Sequence, residues 1–331
     1  MMNVLTPPSG IPLSTEEFLY GRDRTPGIVA VEPAGSQGVR IFRRSAEQTI
    51  VEEAQFRPWL LSERASVWRD TQLTELTGNH AYSYLVEFAD WRSFQDAVRA
   101  AQDAGERFFR LRSPVEQYLV QSGQTLFKEM TFTDLRRLQI DIETLGFNAH
   151  DPEGKVIVVA MRQGNEVEEL HVLDGDEGKL LELVTARIQA LDPDVIEGHN
   201  LFNFDLPYLV ARADRHGVPL TWGRDGSEVR LGSGQARFKA GPITMPYTPG
   251  YVAGRHVIDT YQQIQRYDIG GRLTSYGLKP AVEQLGLTRA DREFVPGEQI
   301  SDAWRNDRDR LLRYALDDVR DVAVLSDLAT P

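Results

Sequence analysis

The sequence predicts an α/β fold that follows a smaller N-terminal α+β domain. With 331 residues, the chain is long enough for about two domains, each with its own hydrophobic core. In the C-terminal part, strand patterns alternate with helical patterns, which is the order found in an α/β sheet. Nearer the N-terminus, short apolar runs precede a single helix. We therefore expect one domain at residues 1–112 and another at residues 113–331.

In the N-terminal domain, alternating apolar runs predict four short strands. They cover residues 27–32, 39–42, 49–52 and 81–88. A helix is predicted at 90–104, where four hydrophobic residues recur at helical spacing: Trp91, Phe94, Val98 and Ala101. Residues 1–25 are interrupted by proline and glycine and are expected to be irregular.

A short helix is predicted to form the hinge between the domains. Ser113 and Glu116 have the spacing of a capping box, and Pro114 occupies the first helical position. Gly123 is suited to end this helix. The elements predicted beyond it are strands at 135–143, 155–162, 167–173, 194–198 and 256–258, helices at 177–191, 205–216, 275–285 and 302–328, and a Gly- and Pro-rich loop or hairpin at 222–254.

Four acidic residues lie in contexts that suit one metal site. Asp141 and Glu143 are two residues apart on a predicted strand, so both carboxylates project from the same face. Asp205 lies at a predicted helix start, where the helix dipole favours a negative charge. Tyr314 and Asp318 are four residues apart and share one face of the last helix. Carboxylates without histidine or cysteine favour hard divalent cations such as Mg²⁺ or Mn²⁺.

The composition limits the classes of protein that the chain can represent. Hydrophobic residues make up 41% and charged residues 26%, which is typical of a globular protein. A formal charge of -12 argues against nucleic-acid binding by a general positive field, so any such contact must be local. The absence of cysteine excludes disulfides and thiolate zinc sites. No leader or membrane-spanning run is visible, so a cytoplasmic protein without membrane contact is expected.

Three motifs resemble those of a known family. Asp141-Ile-Glu143, Asn200 to Asp205 and Tyr314 to Asp318 are similar to the three exonuclease motifs of family-B DNA polymerases, most of all the bacterial polymerase II branch. The tyrosine four residues before the last acid marks the DEDDy subgroup. The resemblance, which extends from about residue 113 to 328, implies a ribonuclease H-like α/β fold, in which helices flank a mixed sheet.

The resemblance also implies an activity, which is 3′-to-5′ removal of nucleotides from a single-stranded DNA end with two Mg²⁺ or Mn²⁺ ions. It implies that Asp141 bridges both ions, that Glu143 and Asp318 complete one site, and that Asp205 supports the second ion. Tyr314 would orient the attacking water. The positions that match substrate-binding residues of the family are Thr144, Asn200 and Phe204.

Two other functions stay open at this point. The same motifs occur in tyrosine-type exonucleases that process RNA, and the residue pattern does not read the 2′-hydroxyl preference. A binding module that has lost turnover is the second alternative, although the four acids and Tyr314 are all present. The polymerase signatures Asp-x-x-Ser-Leu-Tyr-Pro-Ser and Tyr-Gly-Asp-Thr-Asp are absent, so we expect no DNA synthesis. The protein partners are not predicted.

Several residues near the motifs have a structural interpretation. Asp317 is expected to be a solvated surface acid, because it points about 100° away from Asp318 on the helix. His199 and Asp259 are expected to hold local structure. Asn200 caps a turn or contacts substrate, and Phe204 belongs to the core or stacks on a base. Most basic residues near the motifs are expected at the surface, in a group made of Arg136, Arg137, Arg237, Lys239, Arg255, Arg266, Arg272 and Lys279.

Overall fold

The computed structural model describes residues 21–45, 48–69, 71–78, 81–241 and 243–329. The chain divides into two compact units, the first ending at Met130 and the second beginning at Thr131. Most of the segment predicted to be irregular, residues 1–20, lies outside the described residues. In the described part of the chain, no helix has the length and apolar character needed to cross a membrane.

The first unit contains two antiparallel sheets. The first sheet has the order β1-β2-β3, with β1 (Ile28–Ala34), β2 (Gly38–Ser45) and β3 (Gln48–Gln55). The second sheet has the order β5-β6-β4-β7, with β4 (Trp59–Ser62), β5 (Gln72–Glu75), β6 (Tyr84–Glu87) and β7 (Phe108–Phe109). Three of these strands, β4, β5 and β7, were not among the predicted elements. They are too short or too polar to show a clear alternation of hydrophobic residues.

Helix α1 (Trp91–Asp103) covers one face of the second sheet. The Asp90 carboxylate caps the helix by accepting a hydrogen bond from the Ser93 amide at 2.7 Å. Its buried residues Phe94, Val98 and Ala101 pack in one cluster with Leu60 and Val86. These are three of the four residues whose spacing predicted the helix.

Helix α2 (Pro114–Ser122) belongs to the core of the first unit. Tyr118 is buried in a cluster with Ile28 and Val39, and the Gln117 side chain accepts a hydrogen bond from the Trp59 amide at 2.8 Å. The expected hinge is therefore a packed helix. The observed boundary lies after Met130, whereas the predicted boundary was at residue 112, because these side-chain contacts tie α2 to the strands before it. The assignment of two independent domains stays a prediction.

The second unit is built on a five-stranded mixed sheet. Its order is β10-β9-β8-β11-β16, in which β8 pairs antiparallel with β9 and parallel with β11. The strands are β8 (Arg137–Leu145), β9 (Lys155–Gln163), β10 (Val167–Val172), β11 (Val195–Gly198) and β16 (His256–Asp259). All five lie at the predicted positions. The predicted α/β class and the mixed sheet are confirmed.

Helices pack against this sheet in two separate hydrophobic clusters. One cluster joins the sheet to α3 (Glu177–Leu191) and α4 (Asp205–His216), whose bounds match the predicted ones. In the other cluster, Leu311, Ala315 and Val319 of the final helix pack against Ile157 and Val158 of β9. The predicted loop at 222–254 contains four short strands, β12 (Arg230–Leu231), β13 (Ala236–Ala240), β14 (Ile243–Tyr247) and β15 (Gly250–Tyr251).

The C-terminal helices differ from the prediction in three respects. Helix α5 (Thr260–Tyr267) was not predicted, and α6 (Leu278–Gln284) begins three residues later than expected. The predicted helix at 302–328 is two helices, α7 (Ile300–Asn306) and α8 (Arg308–Ala329). Asp307 separates them because its backbone, with φ -149° and ψ 60°, is not helical.

Candidate active site

Strand β8 supplies two acids at the centre of the second unit. Asp141 and Glu143 lie on one face of the strand, and Glu143 is only 6% exposed. The alternate residues Leu138, Ile140 and Ile142 are buried in the core shared with α3 and α4. The alternation of apolar and acidic residues therefore fixes the strand and directs both carboxylates away from that core.

Helix α8 brings Asp318 to these two acids. Carboxylate oxygens of Asp141, Glu143 and Asp318 lie within 4.8 Å of one another. Tyr314, one helical turn earlier, is also buried, and after burial the charge of Asp318 is the next largest cause that raises its pKa. The packing of α8 against the sheet thus assembles three of the four predicted acids and the tyrosine.

Asp205 lies beside this cluster, at the first position of α4. Its Oδ1 accepts a hydrogen bond from the Ile142 amide at 3.3 Å, so its carboxylate is held against β8 between the positions of Asp141 and Glu143. The side chain is 3% exposed. Asp205 is not one of the three acids whose oxygens fall within the mutual distance of 4.8 Å.

Burial and mutual repulsion make this group of carboxylates unfavourable when all of them are charged. Burial, followed by the charges of Asp318, Asp205 and Glu143, raises the pKa of Asp141 well above its usual value. The pKa of Glu143 is raised well above its usual value by burial and by Asp318. Burial also raises the pKa of Asp205 to about 7. A bound cation would remove this penalty, since opposite charge favours the ionised carboxylate.

Two basic side chains complete the cluster. The Lys279 ammonium donates a hydrogen bond to the Tyr314 hydroxyl and lies 4.2 Å from the centre of the Tyr314 ring. The Arg292 guanidinium donates one hydrogen bond to Asp318 Oδ1 and another, of 2.8 Å, to Asp321 Oδ2. Burial raises the pKa of Asp318, and the charges of Arg292 and Lys279 partly oppose that shift.

Neither Lys279 nor Arg292 was predicted from the sequence to belong to the site. Lys279 was only one of eight basic residues, most of which were expected at the surface. It lies in the helix predicted at 275–285, within the span of the family resemblance, which is the signal that could have singled it out. Arg292 lies in an irregular, charged stretch between α6 and α7, and nothing in its local sequence distinguishes it.

Each of the three predicted substrate residues lies close in sequence to one of the acids. Thr144 follows Glu143 on β8, and its hydroxyl donates to the Gly146 carbonyl at 2.8 Å. Asn200 has a positive φ of 63° in the turn before α4, and Phe204 is the residue before that helix. The Phe204 ring is partly buried against the core and lies 6.4 Å from the ring of Phe147, which is 77% exposed.

The expectation that Asp317 is a solvated surface acid was wrong. Asp317 is 4% exposed and accepts hydrogen bonds from Arg289 and Arg320 and from the Glu293 amide. The segment between α6 and α7 covers this face of α8, which a helical projection of α8 alone does not reveal. Asp317 therefore holds the segment between α6 and α7 against α8.

Two of the basic residues in the group expected mostly at the surface are structural, Arg255 being buried and Arg137 partly buried. Arg255 is 6% exposed and donates to the Trp222 carbonyl at 2.8 Å and to Asp192 at 2.8 Å. Arg137 donates to the buried Glu197 at 2.9 Å. Both correct the surface assignment, because acids from distant parts of the chain pair with them.

His199 and Asp259 hold local structure, in agreement with the prediction. The His199 ring is hydrogen-bonded through Nδ1 to Thr260 at 3.0 Å and through Nε2 to the Tyr276 carbonyl at 2.9 Å. The Asp259 carboxylate accepts from the amides of Asn200 and Phe202 at 2.8 and 3.1 Å. Neither side chain is left to serve as a ligand in the acid cluster.

Comparison with known proteins finds similarity to DNA polymerases of family B. Residues 158–280 match the profile of the DNA polymerase family B exonuclease domain. The DNA polymerase of Archaeoglobus fulgidus is 32% identical over 194 residues, which are 57% of this chain and 22% of that protein. The DNA polymerase of Pyrococcus glycovorans is 29% identical over 217 residues, which are 62% of this chain and 26% of that protein.

The fold comparison agrees with the sequence comparison. The structure of the family B DNA polymerase from the hyperthermophilic archaeon Pyrobaculum calidifontis matches with a TM-score of 0.66 and 21% identity, over 90% of this chain and 44% of that chain. The predicted resemblance to family-B exonuclease regions and the ribonuclease H-like fold are confirmed. These relatives are archaeal, so the predicted affinity to the bacterial polymerase II branch stays a prediction.

The chain spans only about a quarter of the length of these two polymerases. The family match at 158–280 contains Asp205 but neither the acids of β8 nor those of α8. The grouping of Asp141, Glu143 and Asp318 therefore depends on the geometry of the second unit.

Proposed function

We propose that this chain, whose second unit is similar to the exonuclease region of family-B DNA polymerases, removes nucleotides from the 3′ end of single-stranded DNA by metal-dependent hydrolysis. The observation that carries the proposal is the convergence of Asp141, Glu143 and Asp318, whose carboxylate oxygens lie within 4.8 Å of one another. Asp205, hydrogen-bonded to the Ile142 amide, adds a fourth carboxylate beside them.

The donor set fits hard divalent cations. It consists of carboxylate oxygens, the ligands that Mg²⁺ and Mn²⁺ prefer, and the sequence contains no cysteine that would favour zinc. In this proposal Asp141, Glu143 and Asp318 would hold one ion, and Asp141 together with Asp205 would hold the second. Two such ions, when bound, activate a water and stabilise the leaving oxygen of a displacement at phosphorus.

Tyr314 has the environment of a neutral hydrogen-bonding group. Burial, and then the charges of Asp318 and Glu143, raise its pKa far above the usual range, so the phenol stays protonated at physiological pH. A protonated phenol does not act as a base, but it can orient a water molecule. Lys279, which donates to the Tyr314 oxygen, would hold the hydroxyl in position.

Replacing Tyr314 with phenylalanine is expected to lower kcat by about 10²-fold, because the attacking water would lose the group that orients it and a misplacement of about 1 Å can cost that much. KM should change little, because the ring and its packing remain. Lys279→Met is also expected to lower kcat, because the Tyr314 hydroxyl would lose the ammonium group that holds it in position. Steady-state kinetics on a short single-stranded oligonucleotide would measure both parameters.

The control for this pair is Tyr267→Phe, since the Tyr267 side chain is 50% exposed and lies outside the acid cluster. It should leave kcat unchanged. If Tyr314→Phe kept kcat within about twofold of the wild-type value, Tyr314 would have no part in orienting the water.

Thr144, Asn200 and Phe204 are the proposed contacts of the terminal nucleotides. The partly exposed Phe204 ring offers a stacking surface that does not depend on base identity. This suits a nuclease that accepts any sequence.

The function itself is tested with oligonucleotides labelled at either end. A strand labelled at its 5′ end should shorten in single-nucleotide steps, and one labelled at its 3′ end should release labelled mononucleotide at once. Both reactions should require added Mg²⁺ or Mn²⁺ and stop when a chelator is added. Matched DNA and RNA strands, single-stranded and paired, would establish the preferred substrate.

Three results would contradict the proposal. Release of mononucleotide from the 5′ end would reverse the polarity, and cleavage that continues in excess chelator would exclude the metal-dependent mechanism. Retention of single strands in a gel shift, without any product at either metal, would instead support a binding module without turnover.

A further inference from the structure

A single arginine links two acids of the final helix. Nε of Arg292 donates to Asp321 Oδ2 at 2.8 Å, and Nη2 donates to Asp318 Oδ1. The third nitrogen, Nη1, donates to the Glu293 carbonyl. Because Asp318 and Asp321 are three residues apart, they lie on the same side of α8, and one planar guanidinium can reach both. Each nitrogen of the guanidinium therefore has an acceptor, which fixes the orientation of the group.

Two aromatic rings lie next to the same guanidinium. Its Cζ is 5.0 Å from the centre of the Phe294 ring and 5.3 Å from the centre of the Tyr314 ring. Rings at such distances attract a cation. The Arg292 side chain is only 1% exposed, so it is not available to the phosphates of a substrate. Its contacts within the candidate active site are with Asp318 and Tyr314.

The segment that carries Arg292, residues 285–299, has other attachments to α8. Arg289 donates to Asp317, and Val295 is buried in the hydrophobic cluster that includes the apolar side of α8. The position of the segment therefore does not depend on Arg292 alone. What Arg292 adds is a link between the segment and the acid cluster.

We propose that Arg292 is a positioning residue, which holds the Asp318 carboxylate in the orientation that binds a divalent cation. The inference rests on the proposed function, because that function gives Asp318 its part in metal binding. An ionised carboxylate has about four acceptor sites on its two oxygens, so the hydrogen bond to Oδ1 leaves sites for a cation. Groups that hydrogen-bond to metal ligands orient them, and their loss typically lowers metal affinity by about 10- to 100-fold.

Two other roles of Arg292 lead to different predictions. If the guanidinium competed with the metal, its removal would tighten metal binding. If it only attached the segment to α8, removal of another attaching arginine would have the same effect. Among the described residues, the salt bridges of Arg292 go to Asp318 and Asp321 and to neither acid of β8. A cation that took the place of the metal would instead contact several acids of the cluster, so the contacts favour positioning.

Binding of Mn²⁺ to the full chain tests the proposal without any cleavage. The protein is treated with a chelator, dialysed and titrated with Mn²⁺, and the free ion is measured by its electron paramagnetic resonance signal. Arg292→Gln is expected to weaken Mn²⁺ binding by about 10-fold. This variant leaves the buried Asp321 carboxylate without its arginine, which destabilises the fold. The double variant Arg292→Gln/Asp321→Asn removes that charge as well and should show the same weakening.

The matched control is Arg289→Gln. Arg289 attaches the same segment to the same helix, but through Asp317, which is not one of the proposed ligands. Its replacement should leave the affinity for Mn²⁺ unchanged. Thermal unfolding in a chelating buffer checks that each variant is folded before the titration.

The titrations separate the three roles. Wild-type affinity in the folded Arg292 variants would reject the proposal, and tighter binding would identify Arg292 as a competing cation. Equal weakening by Arg289→Gln would show that Arg292 only attaches the segment. Failure of the proposed function would look different, because the wild type would then bind Mn²⁺, with the expected weakening in the variants, and leave oligonucleotides uncut. A wild type that bound no Mn²⁺ would reject both proposals.

Discussion

Replacing Asp141 with asparagine is expected to reduce 3′-terminal cleavage by on the order of 10³-fold or more. Asp141 is the residue proposed to contact both ions. Its carboxylate oxygen lies within 4.8 Å of carboxylate oxygens of Glu143 and Asp318. An amide keeps the size of the side chain but removes the negative charge that a cation requires. The loss should therefore appear in kcat at saturating Mg²⁺ and should exceed the effect of Tyr314→Phe.

The same substitution is expected to stabilise the protein in a chelating buffer. Burial and the neighbouring acids raise the folded-state pKa of Asp141 well above its usual value, so a negative charge on this group is less favourable in the folded state than in the unfolded chain. Above the unfolded pKa this charge lowers stability, and a neutral amide removes the penalty. Thermal unfolding without divalent ions should thus give a higher midpoint for Asp141→Asn than for the wild type.

Added Mg²⁺ or Mn²⁺ should reverse this order, because ligands that bind the folded state stabilise it. The midpoint of the wild type should rise with metal, and that of Asp141→Asn should rise less. Asp309→Asn is the control, since Asp309 is an exposed acid on α8. A variant that was inactive but showed the same metal-dependent rise as the wild type would indicate that Asp141 is not a ligand.

Replacing Arg212 with methionine is expected to lower the free energy of unfolding by about 3–5 kcal/mol, the usual cost of breaking a buried ion pair. The Arg212 side chain is only 1% exposed, and it donates to Glu177 Oε1 at 2.9 Å and to the carbonyls of Ala149 and Asp151 at 3.0 and 3.2 Å. Among the described residues, its loss leaves the Val156 amide and His216 as the hydrogen-bond partners of the buried Glu177 carboxylate.

Urea unfolding followed by the tryptophan signal would measure this effect, with Trp222 as a buried reporter in the second unit. Arg215→Met is the matched control, because Arg215 is exposed on the same helix. The double variant Arg212→Met/Glu177→Gln should recover part of the loss, since no unpaired charge remains. A midpoint for Arg212→Met equal to that of the control would show that the ion pair contributes nothing to stability.

The motif residues could be predicted because their signals are local. The alternation of Ile140 and Ile142 with Asp141 and Glu143 predicts a strand with an acidic face, and the structure has that strand. Helices α3 and α4 have the predicted bounds because the apolar stripe of each helix and the residues that mark its ends lie within the helix or directly beside it in the sequence.

The surroundings of the site could not be predicted, because they depend on contacts between distant segments. Arg292 is 26 residues from Asp318 in the sequence, and their hydrogen bond exists only because the segment between α6 and α7 lies over α8. The same segment buries Asp317, which helical geometry alone would expose to solvent. The short strands β4, β5 and β7 likewise depend on their neighbours in the sheet more than on their own sequences.

The sequence by itself determined the five strands of the central sheet of the second unit, helices α3 and α4, and the motifs that contain the acids, since periodicity and motif spacing are properties of neighbouring residues. Only the tertiary structure decided that carboxylate oxygens of three acids lie within 4.8 Å of one another and that the Ile142 amide holds Asp205. It also decided that Lys279 contacts Tyr314 and that Arg292 contacts Asp318. The physical reason is that charge interactions between side chains depend on distance in space, which chain folding sets.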